Sequence, residues 1–349
     1  MEKFRTHIVL YHRDSEVIKN LSFEDLPFEI QLRSEPTKTF WKSKDGKLHT
    51  HLGGAATDEK DIKKGQIPCD ELIILADDEE NAENILSIIR GGVLLGYPDL
   101  SRIPNNLYIN DADKYTSDIY TDPAFKDNYS RVEFVGYGCS VLTKAYKFTD
   151  LCYAIEKYKV SLELNSMTPH SAHPKYGQMF EHYKTVKNYH TTAAFAINAA
   201  YSVIEELKLE IRSSAKNPRF TDKEKGIWNK EVLNDVNKRL DAIGIDENDT
   251  VEWVFRGKKT EVEKDLKPYF GHDSKWIMYG DDVRDKTLSF PEALHNISYL
   301  RNFIASHKFR KLTKFISPYD VYNTQNLARI LLIKKLNLWQ VDVYEGIDP

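Results

Sequence analysis

The feature that most constrains this chain is a change of hydrophobic period near residue 140. Before it, apolar residues come in short runs that often alternate with polar ones, at residues 7–11, 28–32, 71–76 and 131–135. Alternation sends successive side chains to opposite faces of a strand, so these runs predict β-strands. Between them, the acidic opening Asp77 to Glu80 followed by Ile85, Ile88, Ile89 and Val93 predicts a helix whose first turn carries the sign its dipole favours. Gly91-Gly92, Gly96 and Pro98 are expected to end or break it. From about Val141 the spacing changes to three and four. Residues 142–160, 176–212 (as two helices), 228–243, 289–308 and 317–337 can each carry an apolar stripe. The expected fold class is therefore α+β, with an N-terminal α/β domain over residues 1–140 and a mainly α-helical bundle over residues 141–349.

Two helices have clear start signals. Ser289-x-x-Glu292 can form a capping box, and Ser317-Pro318-x-Asp320 combines a cap with proline in the first turn. Residues 246–285, including Val251, Trp253, Phe255 and Gly257, break the helical rhythm and read as a small, partly β insertion. At 349 residues, with 41% hydrophobic and 29% charged content, the chain is long enough for two cores and too apolar for disorder. Its longest nearly apolar stretch, residues 193–204, is far short of the roughly 20 residues that span a bilayer. The N-terminus lacks a small-residue cleavage site, so secretion is not expected. The three cysteines, Cys69, Cys139 and Cys152, form no C-x-x-C pair, which fits a reducing cytoplasm better than a disulfide framework. A net charge of -4 gives no global footprint for nucleic acid, so any such binding needs a local patch.

The helix beginning near Leu294 offers one. Its stripe runs through Leu294, Ile297, Leu300 and Ile304, and Arg301 lies four residues after Ile297 and three before Ile304, on the packed side. A guanidinium against a bundle core is costly unless it is paired or that face lines a cleft or subunit interface. Alternatively, Arg301 sits at the stripe edge and snorkels, and His307 merely interacts with the helix dipole. From Arg301 to Ile316 there are five basic residues (Arg301, Lys308, Arg310, Lys311 and Lys314) and no acidic one. Such a run can attract phosphate, with Lys308, Arg310 and Lys311 as substrate-binding candidates, or simply stabilise a helix C-terminus.

Arg301-Asn302 followed by His307, late in a bundle and preceded by the Ala-rich segment AAFAINAAYSVIEELKLEIRSS, resembles the HEPN superfamily of helical nucleases. The resemblance covers roughly residues 141–349. It implies a metal-independent endoribonuclease needing no cofactor, in a homodimer whose two motifs meet at the interface, in toxin-like or antiviral settings. It implies catalytic roles for Arg301, Asn302 and His307. The residue types suit that chemistry. Cleaving RNA through its own 2′-hydroxyl needs a group that moves protons near neutral pH, as His307 can, and a fixed cation for the developing phosphorane charge, as Arg301 can. Asn302 could hold a phosphate oxygen or orient His307. Six residues along an ideal helix advance about 9 Å and turn about 600°, leaving His307 some 120° from Arg301. Convergence then requires a long reach by Arg301, a distorted last turn, or a second copy across a two-fold axis, which is the favoured arrangement.

Other constellations carry less. His170-x-x-His173 with His182 and His190, and His49-x-His51, lack a carboxylate or thiolate at ligand spacing, so no metal is expected. Gly53-Gly54 and Gly136-x-Gly138 have no Lys-Ser or Lys-Thr after them and are not phosphate loops. Glu205-Glu206 can pair with Arg301 across the bundle or simply solubilise the surface. Tyr299 can flank the cleft or belong to the core. Two functional readings remain open: an RNA endonuclease whose first domain senses, recruits or inhibits, and a non-catalytic helical dimerisation or RNA-binding module.

Overall fold

A computed structural model describes residues 1–10, 12–37, 40–42, 48–50, 67–98, 110–111, 130–165, 187–254, 277–278, 284–302 and 318–339. The fold is α+β, in two compact units. One comprises Met1–Gly96 with Leu100–Tyr146, the other Tyr97–Asp99 with Lys147–Pro349.

The first unit is built on a sheet in which β1 (Glu2–Leu10) lies antiparallel to β5 (Ile67–Ala76), and β5 in turn to β2 (Glu29–Thr37). The other edge of β1 carries β6 (Asn110–Asp111), antiparallel, and β7 (Ser130–Val132), parallel. A separate ladder joins β3 (Phe40–Lys42) to β4 (Leu48–Thr50). Among the described residues of this unit are the helices α1 (His12–Lys19), α2 (Glu79–Gly96) and α3 (Val135–Ala145). Phe28, Leu72, Ile74, Ile85, Val135 and Leu142 are fully buried. Arg5 on β1 and Glu71 on β5, each only 1% exposed, form a two-pronged ion pair within this core, with Nη2 donating to Oε2 at 2.8 Å and Nε to Oε1 at 2.9 Å.

Two expectations fail here for identifiable reasons. Gly91-Gly92 do not break α2, which continues to Gly96. A Cβ on Gly92 would stand 2.8 Å from the Gly138 Cα, and one on Gly138 would stand 2.5 Å from the Ile89 carbonyl oxygen. These glycines thus let two backbones touch, and helix propensity gives way to packing. The strand read at residues 131–135 stops at Val132. Phe134 adopts a left-handed conformation (φ 65°), and α3 starts at Val135. Phe134 cannot cap a helix. Asp14 of α1 does so instead, its Oδ1 accepting the Gly136 N–H at 2.9 Å.

In the second unit, the continuous helix expected over residues 142–160 is split, since α3 ends at Ala145 and α4 (Thr149–Leu164) begins after three intervening residues. Of residues 176–212, residues 187–206 form α5 (Lys187–Glu206), residues 207–212 leave the helix, and residues 176–186 lie outside the described residues. α6 (Lys230–Asp241), α7 (Phe290–Leu300) and α8 (Pro318–Lys335) follow. The face of α5 formed by Ala193, Ala196, Ile197, Ala200 and Ile204 is fully buried. Gln325 of α8 and Ser161 of α4 tie the bundle internally: Gln325 Nε2 donates to Ser161 Oγ at 3.0 Å, and Ser161 Oγ donates to the Ala196 carbonyl at 2.8 Å. The expected insertion is a sheet of β10 (Thr250–Trp253), β12 (Arg284–Ser289) and β11 (Ile277–Met278), with Phe255 and Gly257 outside the described residues. Not anticipated was the small hairpin of β8 (Phe220–Asp222) and β9 (Ile227–Trp228) between α5 and α6. Among the described residues, no helix is long and apolar enough to cross a membrane.

Candidate functional site

The site lies where α5, α7 and the β8–β9 hairpin meet, all within the second unit. The predicted capping box fixes the start of α7: Ser289 Oγ accepts the Glu292 N–H at 3.4 Å, and Glu292 Oε2 accepts the Ser289 N–H at 2.9 Å. From that start, Leu294, Ile297 and Leu300 are buried, while His295, Ser298 and Arg301, three residues apart, form a polar row beside the apolar one. At Arg301-Asn302 the backbone passes from an α-helix into a π-type turn, so the last turn is distorted.

Arg301 stands at the edge of the stripe and not deep on the packed side, its side chain 40% exposed. Three groups hold it. Its guanidinium carbon lies 5.4 Å from the centre of the Tyr201 ring, its Nη2 is 3.5 Å from Glu205 Oε1, and its Nη1 donates to Asn302 Oδ1 at 2.9 Å. Glu205 therefore makes the cross-bundle pair read from the sequence, while Glu206 pairs with Lys157. Asn302, exposed, orients Arg301. Tyr299 is half-buried. His307, Lys308, Arg310, Lys311 and Lys314 lie outside the described residues, as do His51, His170, His173 and His182. His190, on α5, is buried, and its environment holds its proton affinity below the usual histidine range.

Four further residues complete the cluster: Tyr201, Arg219, His295 and Ser298. Arg219, just before β8, donates from Nη1 to His295 Nδ1 at 2.6 Å and from Nη2 to Ser298 Oγ at 3.2 Å. Because arginine can only donate, Nδ1 of His295 must be the acceptor and its proton sits on Nε2. The ring is wedged edge-on against Phe220 and Trp228, with centroids 4.8 and 6.1 Å away. Burial, reinforced by the Arg219 charge, pushes its pKa down to about 3. His295 is thus a neutral support that takes up no second proton near neutral pH. Burial raises the Tyr201 pKa, while a hydrogen bond from Ser298 and the charges of Arg219 and Arg301 oppose that rise.

No family model, curated protein or solved structure matches this chain. The HEPN resemblance accordingly rests on the quoted residues alone. The sequence did hold a signal for part of the missed cluster, since polar residues at positions 295, 298 and 301 recur every three residues beside the apolar stripe. Arg219 had none. It reaches the site through a hairpin whose two aromatic rings dock on His295.

Proposed function

We propose that the protein is a HEPN-type endoribonuclease, acting as a homodimer in a toxin-like or antiviral role, that cleaves RNA by attack of the substrate's own 2′-hydroxyl on the adjacent phosphorus. Arg301 stabilises the charge that develops on the phosphorane oxygens. His307 removes the 2′-hydroxyl proton or protonates the departing 5′-oxygen. Asn302 sets the guanidinium plane for Arg301.

The observation that carries this reading is the mounting of Arg301. An arginine that only snorkels at a stripe edge would be part-exposed too, but this one is also stacked at one face and held through Nη1 and Nη2 by Asn302 and Glu205 while 40% exposed. Such a group is oriented before substrate arrives and still reachable by a phosphate, which is what electrostatic stabilisation of a transition state requires. The π-type turn at Arg301-Asn302 also supports the reading, because it departs from ideal helix geometry at the first two residues of the motif.

Cleavage of single-stranded RNA, with a chelator present, should be compared between the parent protein and the Arg301→Ala and His307→Ala variants. Losses of about 10²- to 10³-fold are expected for Arg301→Ala, the size of removing one oxyanion donor. If both variants fold and keep full cleavage, the nuclease reading fails and the domain is a helical dimerisation or RNA-binding module.

A further inference from the structure

Cleavage through the 2′-hydroxyl moves two protons, one off the attacking oxygen and one onto the departing oxygen, and two groups must handle them. His307 supplies one. Besides the arginines, three titratable side chains lie in the described cluster around Arg301: His295, Tyr201 and Glu205. Two of them are unsuited to the second role. His295, with a pKa of about 3, is buried and accepts at Nδ1 from Arg219. Tyr201 is buried and hydrogen-bonded to Ser298, and burial raises its pKa, so it keeps its proton. Glu205 differs from both. Resting on the nuclease reading above, we propose that Glu205 is a further catalytic residue, the base that takes the 2′-hydroxyl proton, which leaves His307 as the acid for the departing 5′-oxygen.

Three features support this role. The first is access. Glu205 sits near the C-terminal end of α5 with 41% of its side chain exposed, so a substrate hydroxyl can reach the carboxylate. Its neighbour Glu206 is taken up by Lys157 on α4. The second is distance. Glu205 Oε1 lies 3.5 Å from Arg301 Nη2, longer than the roughly 2.8 Å of a tight charge-assisted bond. The carboxylate can therefore turn from the guanidinium to a hydroxyl at little cost. The third is the geometry of arginine itself. Its five N–H donors let one guanidinium face a carboxylate and a phosphate through different edges, holding together two anions that would otherwise repel. A phosphate bound at Arg301 thereby brings the adjoining ribose beside the base. In the step, the 2′-hydroxyl gives its proton to the Glu205 carboxylate as its oxygen bonds to phosphorus. The bond from phosphorus to the 5′-oxygen breaks, and that oxygen takes a proton from the His307 imidazolium. The products are a 2′,3′-cyclic phosphate and a 5′-hydroxyl, and both side chains recover their starting states by exchanging protons with water.

The test compares two single-stranded RNAs, one ordinary and one with sulfur replacing the 5′-oxygen at the scissile bond, since a thiolate departs without needing an acid. Glu205→Gln still accepts a bond from Arg301 but takes no proton. On ordinary RNA it is expected to lower kcat about 10²- to 10³-fold with KM within a few-fold of the parent. Glu205→Asp keeps a carboxylate one methylene further back and should fall between the two. On the sulfur substrate, His307→Ala should recover to within a few-fold of the parent, while Glu205→Gln stays about 10²-fold slow. A carboxylate that only orients Arg301 would leave Glu205→Gln close to the parent, and one that only competes with phosphate would make it faster; either result overturns the proposal. So does recovery of Glu205→Gln on the sulfur substrate, or failure of His307→Ala to recover, which would make His307 the base. The two readings fail differently. Full cleavage by Arg301→Ala and His307→Ala sinks the nuclease and this proposal with it, whereas full cleavage by Glu205→Gln alone sinks only the base assignment. A parent that cleaves neither strand overturns both.

Discussion

Two of the arginine–glutamate pairs among the described residues, one in each unit, are held in opposite ways. Arg5 and Glu71 sit inside the first unit with 1% of each side chain exposed and two short bonds joining them. Arg301 and Glu205 meet at 3.5 Å with 40% and 41% exposed. In the first pair both charges have lost water, so neither can release its partner without a large penalty. In the second, water screens the attraction and either group can exchange partners at little cost. The same two residue types thus make a fixed joint in one unit and a replaceable contact in the other. What separates them is burial, which decides whether an arginine remains available to a phosphate.

The comparison can be broken most directly at the buried pair. Glu71→Ala should destabilise the first unit by about 3–5 kcal/mol, because it strands the Arg5 charge in the core. Hydrogen exchange followed along β1 and β5 would register it. Acid should next separate the two units. For His295 the folded pKa, about 3, lies below the ordinary 6.5, so its contribution is complete above pH 6.5 and is lost as pH falls toward 3. By pH 4 the loss should be on the order of 3 kcal/mol, read as faster exchange in α7. Asp14 acts in the opposite sense. Burial raises its pKa above 3.8, so its contribution is complete below that value and is lost as pH rises through the raised one. Asp14→Asn should remove that alkaline-side loss from the first unit's stability profile.

Smaller effects sharpen the contrast. Gly138→Ala should cost about 1–3 kcal/mol in thermal or denaturant unfolding, since the added methyl meets a backbone carbonyl that cannot swing aside. Glu205→Ala should cost less than about 1 kcal/mol in the same measurement. A loss as large as that of Glu71→Ala would show that the Arg301 pair is a structural joint after all.

The legible parts of this molecule were those written by local patterns. Alternation located β2 and β5, three-and-four spacing located α6, α7 and α8, and the Ser289-x-x-Glu292 spacing gave the start of α7 together with its cap. The pairing of Glu205 with Arg301 is only one of two readings of Glu205-Glu206, and the other, a solubilising surface pair, stays open until the structure brings Glu205 to Arg301. What escaped was set by contacts distant in sequence. Gly92 reads as a helix breaker until Gly138 is seen against it. Arg219 reads as a loop cation until the His295 ring is found 76 residues away. His295 itself carries the residue type of an acid–base catalyst, and only its burial and its arginine neighbour reveal that it stays neutral near pH 7.

The capping of α3 bears on how the first unit assembles. The carboxylate that completes its first turn belongs to a residue 122 positions earlier in the chain. An isolated segment beginning at Val135 would fray at its start. The helix becomes fully wound only after α1 has been delivered, so its nucleation waits on a long-range loop closure and should fall late in folding, with much of its formation on the native side of the rate-limiting barrier.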